Sequence, residues 1–142
     1  MSQVQIIQDG VAMGLRGADG GAGPFIHQAA PYNASSVDMV VFVATRQMRV
    51  EAITPRVTVA GTDAGAVTAV IRKVPSGTAI TSGTALHSGT FNLKGTADTN
   101  QALTLSTTAT DLLLAAGDSI AIDFTGTLTS ATGTVAVGMN PV

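Results

Sequence analysis

The sequence predicts an all-β domain, an antiparallel β-sandwich with an extended N-terminal arm. Charged residues make up 11% of the chain and hydrophobic residues 45%, whereas about a quarter of the residues in an ordinary globular domain are charged. The missing polarity is supplied by Thr, Ser and Gly, and Thr is β-branched, which favours strands over helices. From residue 37 onward, apolar and polar residues alternate, which is the period of a half-buried strand.

Residues 1–36 are predicted to form the arm. This stretch is rich in Gly, Ala and Pro and shows no sustained period, so we interpret it as an extended arm. Large apolar residues nevertheless recur along it, among them Val4, Ile6, Ile7, Phe25, Ile26 and Tyr32. Disordered tails are usually depleted in such residues. We therefore expect the arm to be ordered against its own domain or against a neighbouring subunit.

Residues 37–142 are predicted to form the β-sandwich domain. Alternating runs begin at Met39, Ile53, Val67, Phe91, Leu103, Ile120 and Val135. Turn signals separate them, and short strands at a spacing of roughly 8–12 residues are typical of a sandwich or a barrel. Two packed antiparallel sheets would bring the apolar faces together in one core. Pro55 inside its run indicates an edge position or a bulge, and only residues 111–116 look helical, with Asp111 as the cap of a single turn.

The residue types needed for catalysis are present but not grouped. His27 and His87 lie far apart and outside any recognisable motif, and lone histidines are ordinary polar residues far more often than bases or metal ligands. Asp123, on the outward face of a predicted strand, is the one carboxylate of interest, but a glycosidase needs a pair of carboxylates. We therefore predict that the chain is not an enzyme and holds no metal and no cofactor.

Charge and cysteine content limit the partners. Seven basic and nine acidic residues give a net charge of −2 and form no basic cluster, so nucleic-acid binding is not expected. The chain has no cysteine and therefore no disulfide framework. Its longest apolar stretch is far too short to span a bilayer, so no membrane partner is expected. A surface this poor in charge fits a neutral β domain or one partly covered by neighbouring subunits.

Residues 46–141 resemble the small cement, or decoration, proteins of tailed bacteriophage capsids. The resemblance is carried by RVEAITPRVTVA at 49–60, GTDAG at 61–65, residues 67–73, GTFNLKG at 89–95, LLAAGDSIAIDF at 113–124 and the Thr- and Gly-rich residues 125–140. It is a similarity of composition and segment order rather than of a chemical signature. Thr- and Gly-rich β domains also occur in phage tail fibres.

The cement family implies a jelly-roll sandwich that forms a homo-oligomer, a dimer or trimer. Such a protein lies on the outside of an icosahedral shell and clamps neighbouring major capsid proteins. The arm matches the extended arms of that family, with Val4, Ile6, Ile7, Phe25, Ile26 and Tyr32 as the predicted partner contacts. The alternative is a receptor- or carbohydrate-binding domain of a phage tail fibre or spike. Sugar sites favour exposed aromatic rings, and the chain has no Trp and one Tyr, which favours the cement role.

Overall fold

The computed structural model describes residues 25–142, and this part of the chain is built from strands. They are β1 Ile26–Tyr32, β2 Met39–Val43, β3 Met48–Val59, β4 Thr68–Val74, β5 Thr84–Ala85, β6 Phe91–Asn92, β7 Leu113–Leu114, β8 Ser119–Thr125 and β9 Thr132–Pro141. Two 3₁₀ turns, Ile80–Ser82 and Ala109–Leu112, are the helical elements among the described residues. The all-β prediction is confirmed.

The strands form two antiparallel sheets. Sheet A has the order β1-β9-β3-β7 and sheet B the order β2-β8-β4-β5, with β6 also paired to β4. When β5 and β6 are counted as one interrupted strand, the two orders read 1-8-3-6 and 2-7-4-5, so strands early and late in the chain alternate within each sheet. This is the double Greek-key order of the eight-stranded jelly roll. The predicted jelly-roll-like sandwich is therefore confirmed as well.

The core lies between the two sheets. Its central side chains are at most 1% exposed: Val50, Ile53 and Val57 of β3, Val135, Val137 and Met139 of β9, Ala69 and Ile71 of β4, and Ile120 and Ile122 of β8. Full burial of a Val, Leu or Ile side chain contributes roughly 1.5–3 kcal/mol. In a chain without cysteine, this apolar layer is the main source of stability.

Bulges in β3 change which of its residues face the core. The pairing with β9 slips by one residue at Glu51 and again at Thr58. Because of the first bulge, Val50 and Ile53 are three residues apart and yet both are buried. Because of the second, Val59 is 48% exposed, although simple alternation predicted that it faces the core. A bulge adds one residue to one strand of a pair and so reverses the faces beyond it.

The first strand lies inside the segment that the sequence assigned to the arm. β1 pairs with β9 along its whole length, so residues 26–32 are an edge strand of sheet A. The earlier part of the predicted arm, residues 1–24, lies outside the described residues. Residues 26–32 are therefore ordered by β9 of the chain's own domain.

The helical turn expected at residues 111–116 has a different form. The chain makes a 3₁₀ turn at Ala109–Leu112 and then enters β7 directly. Leu113 and Leu114 pair with the start of β3, and Leu114 is fully buried. The local sequence alone would allow Leu113 and Leu114 to continue the helix. Their pairing with β3 and their packing against sheet A give them an extended conformation instead.

Candidate interaction surface

Three of the six predicted partner contacts lie within the described residues, and three do not. Val4, Ile6 and Ile7 lie outside them, and their contacts stay a prediction. Phe25, Ile26 and Tyr32 lie at the two ends of β1. Their surroundings differ at each end, because each aromatic ring covers a different glycine of β9.

Tyr32 closes the C-terminal end of β1 and is 2% exposed. Its ring lies over Gly133, the residue opposite it on β9, and its centroid is 5.9 Å from that of Phe124. Burial raises the pKa of Tyr32 to about 12, and its hydroxyl has no hydrogen-bond partner among the described residues. Tyr32 is a core residue in this conformation, and a contact with a partner stays a prediction.

Phe25 precedes β1 and is 42% exposed. Its ring covers Gly138 and meets the ring of His27 edge-on, with the centroids 4.6 Å apart. Ile26 points to the other face, opposite Met139, and packs against the core. Of the three predicted contacts within the described residues, Phe25 therefore leaves the largest part of its side chain open to a partner.

The second edge strand, β2, is uncharged and has exposed valines. It forms the edge of sheet B beside β8 and contacts β1, so both edges lie on one side of the sandwich. Val40 and Val43 are 50% and 52% exposed, and Val37 just before the strand is 75% exposed. Natural edge strands are usually protected by charges, Pro, a bulge or a covering loop. Among residues 25–142, no backbone hydrogen bond from another element reaches the free side of β2.

A bulge in β2 places two of these valines on the same face. Between Val40 and Phe42 the pairing with β8 slips by one residue, so Val41 is the extra residue. Met39, Val41 and Phe42 pack toward the core. Val40 and Val43 consequently both face outward. Uninterrupted alternation from Met39 would place Val43 on the core side, and the bulge turns it outward instead.

His87 is 4% exposed and completes the hydrogen bonding of β4. The backbone N–H of Ile71 donates to its Nε2 at 3.0 Å. Because Nε2 accepts, the proton of the neutral ring lies on Nδ1, which is 3.2 Å from the carbonyl oxygen of Ser88. Burial lowers the pKa of His87. The hydrogen bond to the Ser88 carbonyl raises this pKa, and the positive charge of Arg72 lowers it. The ring fills the gap between β5 and β6 along β4 and has a structural role.

Asp123 is also buried and held in an ion pair. Arg72 donates from Nε to its Oδ2 at 2.7 Å and from Nη1 to the carbonyl oxygen of Gly83 at 2.9 Å. The arginine thereby ties β8, β4 and the segment before β5 together. The carboxylate that the sequence offered for glycosidase chemistry is neutralised by an internal cation.

In residues 25–142, no group of three or more His, Asp and Glu side chains is placed to hold a metal ion. No helix in this part of the chain is long and apolar enough to cross a membrane.

Two open clefts of about 440 and 510 Å³ lie beside the loops. The first is bounded by Val37, Asp38, Phe124 and Leu128, and so continues the exposed side of β2.

The fold and surface define a class, a jelly-roll domain whose exposed apolar residues gather along two adjacent edges. Of the six large apolar side chains that the described residues expose, four belong to β1, β2 or the residues next to them: Phe25, Val37, Val40 and Val43. The other two, Val59 and Val142, lie at the ends of other elements.

No protein-family model matches the chain, and no curated protein matches its sequence. A chain in the structure of the cyanophage Pam1 capsid asymmetric unit is similar with a TM-score of 0.49 and 15% identity, over 83% of this chain and 85% of that one. A chain from Bacillus endospore appendages, described as disulfide-linked pili, has a TM-score of 0.41 and 14% identity, over 84% and 88%. A chain of infectious bursal disease virus Gt strain has a TM-score of 0.27 and 16% identity, over 84% and 32%.

Proposed function

We propose that this chain is a structural virion protein that binds the outer surface of an icosahedral phage capsid. It stabilises the shell by clamping neighbouring major capsid proteins, acts as a homo-oligomer, and uses no catalysis and no cofactor. The observation that carries the proposal is the gathering of exposed apolar residues on the β1 and β2 side of an otherwise well-packed jelly roll. The resemblance of residues 46–141 to capsid cement proteins supports the choice of partner.

The chemistry of the buried groups supports a role without catalysis. His87 and Asp123 are the buried polar or charged side chains of the described residues. Both are engaged by neighbours of the same domain, through the N–H of Ile71 and the guanidinium of Arg72. Groups held in this way stabilise the fold and are not free to exchange protons with a substrate.

A clamp of this kind works by binding only the assembled shell. A ligand that binds one state and not the other stabilises that state by mass action. Each contact can be weak, because an arm and a domain that engage together raise each other's effective concentration. An uncharged valine edge suits such a contact, since no charge has to be desolvated when a neighbour covers it.

The N-terminal segment supplies the second contact in this proposal. Residues 1–24 join the domain at Phe25, directly before the edge strand β1. An extended segment can add a strand to the sheet edge of a neighbouring protein. Val4, Ile6 and Ile7 are then the side chains that the neighbour buries, and Phe25 extends the same contact onto the domain.

The location and copy number of the protein in purified particles test the proposal. Hundreds of copies spread over the shell, counted by quantitative mass spectrometry and seen by electron microscopy of labelled particles, are the expected result. A few copies at the tail tip, with binding to host cells by the isolated protein, would instead support the tail-fibre alternative and overturn the capsid role.

A truncation tests the contribution of the N-terminal segment. The deletion must cover residues 1–24 and spare β1, because β1 pairs with β9 over its full length. We expect the truncated domain to keep its circular dichroism spectrum and cooperative unfolding while its occupancy on depleted capsids falls at least tenfold. Full occupancy of the truncated protein would remove the segment from the binding mechanism.

A further inference from the structure

The two long sides of the sandwich are built differently. The edge strands β1 and β2 lie on one side, whereas on the other side a closing segment, residues 98–106, pairs with both sheets. Three of its backbone N–H groups donate to carbonyl oxygens of β3 in sheet A, from Asp98, Gln101 and Leu103. Its last three residues pair with residues 86–88, which in turn bind β4 of sheet B. Residues 86–88 therefore link the closing segment to sheet B.

Two hydrogen bonds to Ile71 hold residues 86–88 on β4. The backbone N–H of Leu86 donates to the carbonyl oxygen of Ile71 at 2.9 Å, and the N–H of Ile71 donates to Nε2 of His87 at 3.0 Å. The short strands β5 and β6 pair with β4 on either side of this point. A ring nitrogen thus takes the place that a backbone carbonyl has in an ordinary antiparallel ladder. Because imidazole titrates near neutral pH, a proton can remove this acceptor.

We infer that His87 is an acid-sensitive latch, whose protonation at Nε2 releases residues 86–88 from β4 and opens the side of the sandwich that the closing segment covers. A protonated Nε2 carries its own hydrogen and cannot accept the N–H of Ile71. Two donors then face each other in a buried place, and a buried donor without an acceptor is destabilising. This inference goes beyond the proposed capsid role, because it concerns the isolated protein and requires no partner.

The surroundings of His87 favour local opening over unfolding of the whole sandwich. The side chain is buried, but the next three residues, 88–90, are exposed. Among them Gly89 has a φ of +68°, and apart from its chain neighbours no atom lies within 4 Å of the carbon that a side chain would add there. The ring can therefore reach solvent through a movement of this short segment. Such openings need far less free energy than global unfolding.

The charges of sheet B do not compensate a protonated His87. The hydrogen bonds of its ring go to Ile71 and Ser88 and, within residues 25–142, to no carboxylate. Arg72 of β4 adds a positive charge, and its guanidinium already occupies the carboxylate of Asp123 on β8 at 2.7 Å. Lys73, the next residue of β4, adds a second positive charge, and its Nζ donates to two backbone carbonyls.

The segments packed on the other side of the ring bring no compensating charge either. Residues 84–92 and 104–106 contain no ionisable side chain apart from His87. Asp111 lies beyond them and accepts a hydrogen bond from the hydroxyl of Ser106 at 2.6 Å. Burial lowers the pKa of His87 from its ordinary value of 6.5. As the pH falls below 6.5, the opened segment therefore takes up a proton that the closed one does not, and the closed form loses stability.

Hydrogen exchange followed by mass spectrometry tests the latch. Protection is compared at about pH 7.5 and about pH 5, after correction for the intrinsic pH dependence of exchange. We expect peptides covering residues 84–92 and 98–106 to lose protection at least tenfold at the lower pH, while peptides of β9 keep theirs. Equal loss in all strands would show global unfolding, and unchanged protection of the two segments would show a closed latch. Either result would overturn the inference.

His87→Gln and His27→Gln separate the latch from other acid responses. The Gln side chain offers a neutral acceptor to the N–H of Ile71 and does not titrate, so exchange in H87Q should not depend on pH in either segment, whatever protection it starts from. H27Q is the matched control, because His27 is exposed on β1, and it should respond as the wild type does. A wild-type response in H87Q would assign the opening to other groups and contradict the inference.

A nuclear magnetic resonance titration of the wild type tests the same hydrogen bond without a substitution. The ring nitrogen shifts of His87 should report a proton on Nδ1 at neutral pH and on both nitrogens after acidification. The amide proton of Ile71 should shift with the same midpoint, because it loses its acceptor. An Ile71 amide that does not follow the titration of the ring would be evidence against the latch.

Discussion

At the scale of single residues, Tyr32 contributes to packing through its ring, whereas its hydroxyl group contributes no hydrogen bond to the described residues. Its ring covers Gly133, while its buried hydroxyl lacks a partner among the described residues. A buried polar group without a hydrogen bond costs about 1–3 kcal/mol. The ring therefore stabilises the edge of sheet A in spite of the hydroxyl.

Tyr32→Phe is accordingly expected to raise the free energy of unfolding by about 1 kcal/mol. The substitution keeps the ring over β9 and removes the unpaired group. Urea unfolding followed by circular dichroism measures the change, and Tyr32→Leu serves as the control that loses the ring and destabilises the domain. Destabilisation by Tyr32→Phe would mean that the hydroxyl has a partner outside residues 25–142.

His87 makes the stability of the domain depend on pH. Its pKa lies below the ordinary value of 6.5 in the folded protein, so between the two values the unfolded chain binds a proton that the folded chain does not. The free energy of unfolding is therefore highest above pH 6.5 and falls as the pH drops through 6.5 toward the folded pKa. The structural reason is that protonation of Nε2 removes the acceptor of the Ile71 N–H.

Melting temperatures between about pH 8 and about pH 5 test this dependence. The wild type should lose stability over the acid half of that range, and His87→Gln should show a flatter profile from a lower starting value. His27→Gln is the control, because His27 is exposed and should keep the wild-type profile. A wild-type profile in His87→Gln would assign the pH dependence to other groups.

At the scale of elements, the pairing of β1 with β9 depends on two glycines that lie under aromatic rings. A side chain at residue 133 would collide with the carbonyl oxygen of Arg56 and the ring of Tyr32, and one at residue 138 would collide with the ring of Phe25. The carbonyl belongs to the backbone of β3 and cannot turn away. Gly133 is thus the tighter of the two positions.

Gly133→Ala should destabilise the domain by about 2–3 kcal/mol, because the added methyl group forces β9 away from β3 or displaces Tyr32. Gly65→Ala is the matched control, since the nearest atom to its added carbon is Asp63 Oδ2 at the ordinary distance of 3.4 Å. The control should change stability by at most about 0.5 kcal/mol. Urea unfolding measures both, and equal effects would contradict the steric account.

The longer strands could be predicted from the sequence, and the shorter ones could not. Alternation places β4, β8 and β9 correctly, because each has one face on the core and one toward solvent or a covering loop. β5, β6 and β7 have two residues each, which is too short for an alternation of apolar and polar residues to be recognised. Leu103 and Leu105 alternate like a strand but lie in a loop whose backbone bonds go to Ile53 and to the segment around His87. Only long-range pairing decides such cases.

The candidate surface was partly visible in the sequence. Phe25 was predicted as a partner contact and is exposed. The exposed pair Val40 and Val43 was missed, because alternation assigns residues three apart to opposite faces. A bulge is a property of two paired strands, so a single strand read alone gives no signal for it. The uncharged run at residues 39–43 was the available hint, since edge strands often carry charged residues.

At the scale of the whole molecule, the capsid role predicts stabilisation that depends on assembly. Adding the protein to depleted capsids should raise the temperature at which the shells break open, and the effect should grow with occupancy until the sites are filled. The control is the unassembled major capsid protein, whose melting temperature should not change. Equal stabilisation of unassembled subunits would contradict clamping, because it would mean that a single subunit provides the whole binding site. Light scattering and calorimetry of the two samples measure the effects.

The amino-acid sequence by itself determined that the chain is an all-β sandwich, because β-branched residues and a period of two allow few other solutions for a core of this size. It also determined the low charge and the scattered positions of His and Asp. The tertiary structure decided the jelly-roll strand order, the burial of Tyr32, His87 and Asp123, and the outward turn of Val40 and Val43. These depend on which strands are neighbours and where the pairing slips. Such pairings join residues distant in the chain, so local periodicity carries no record of them.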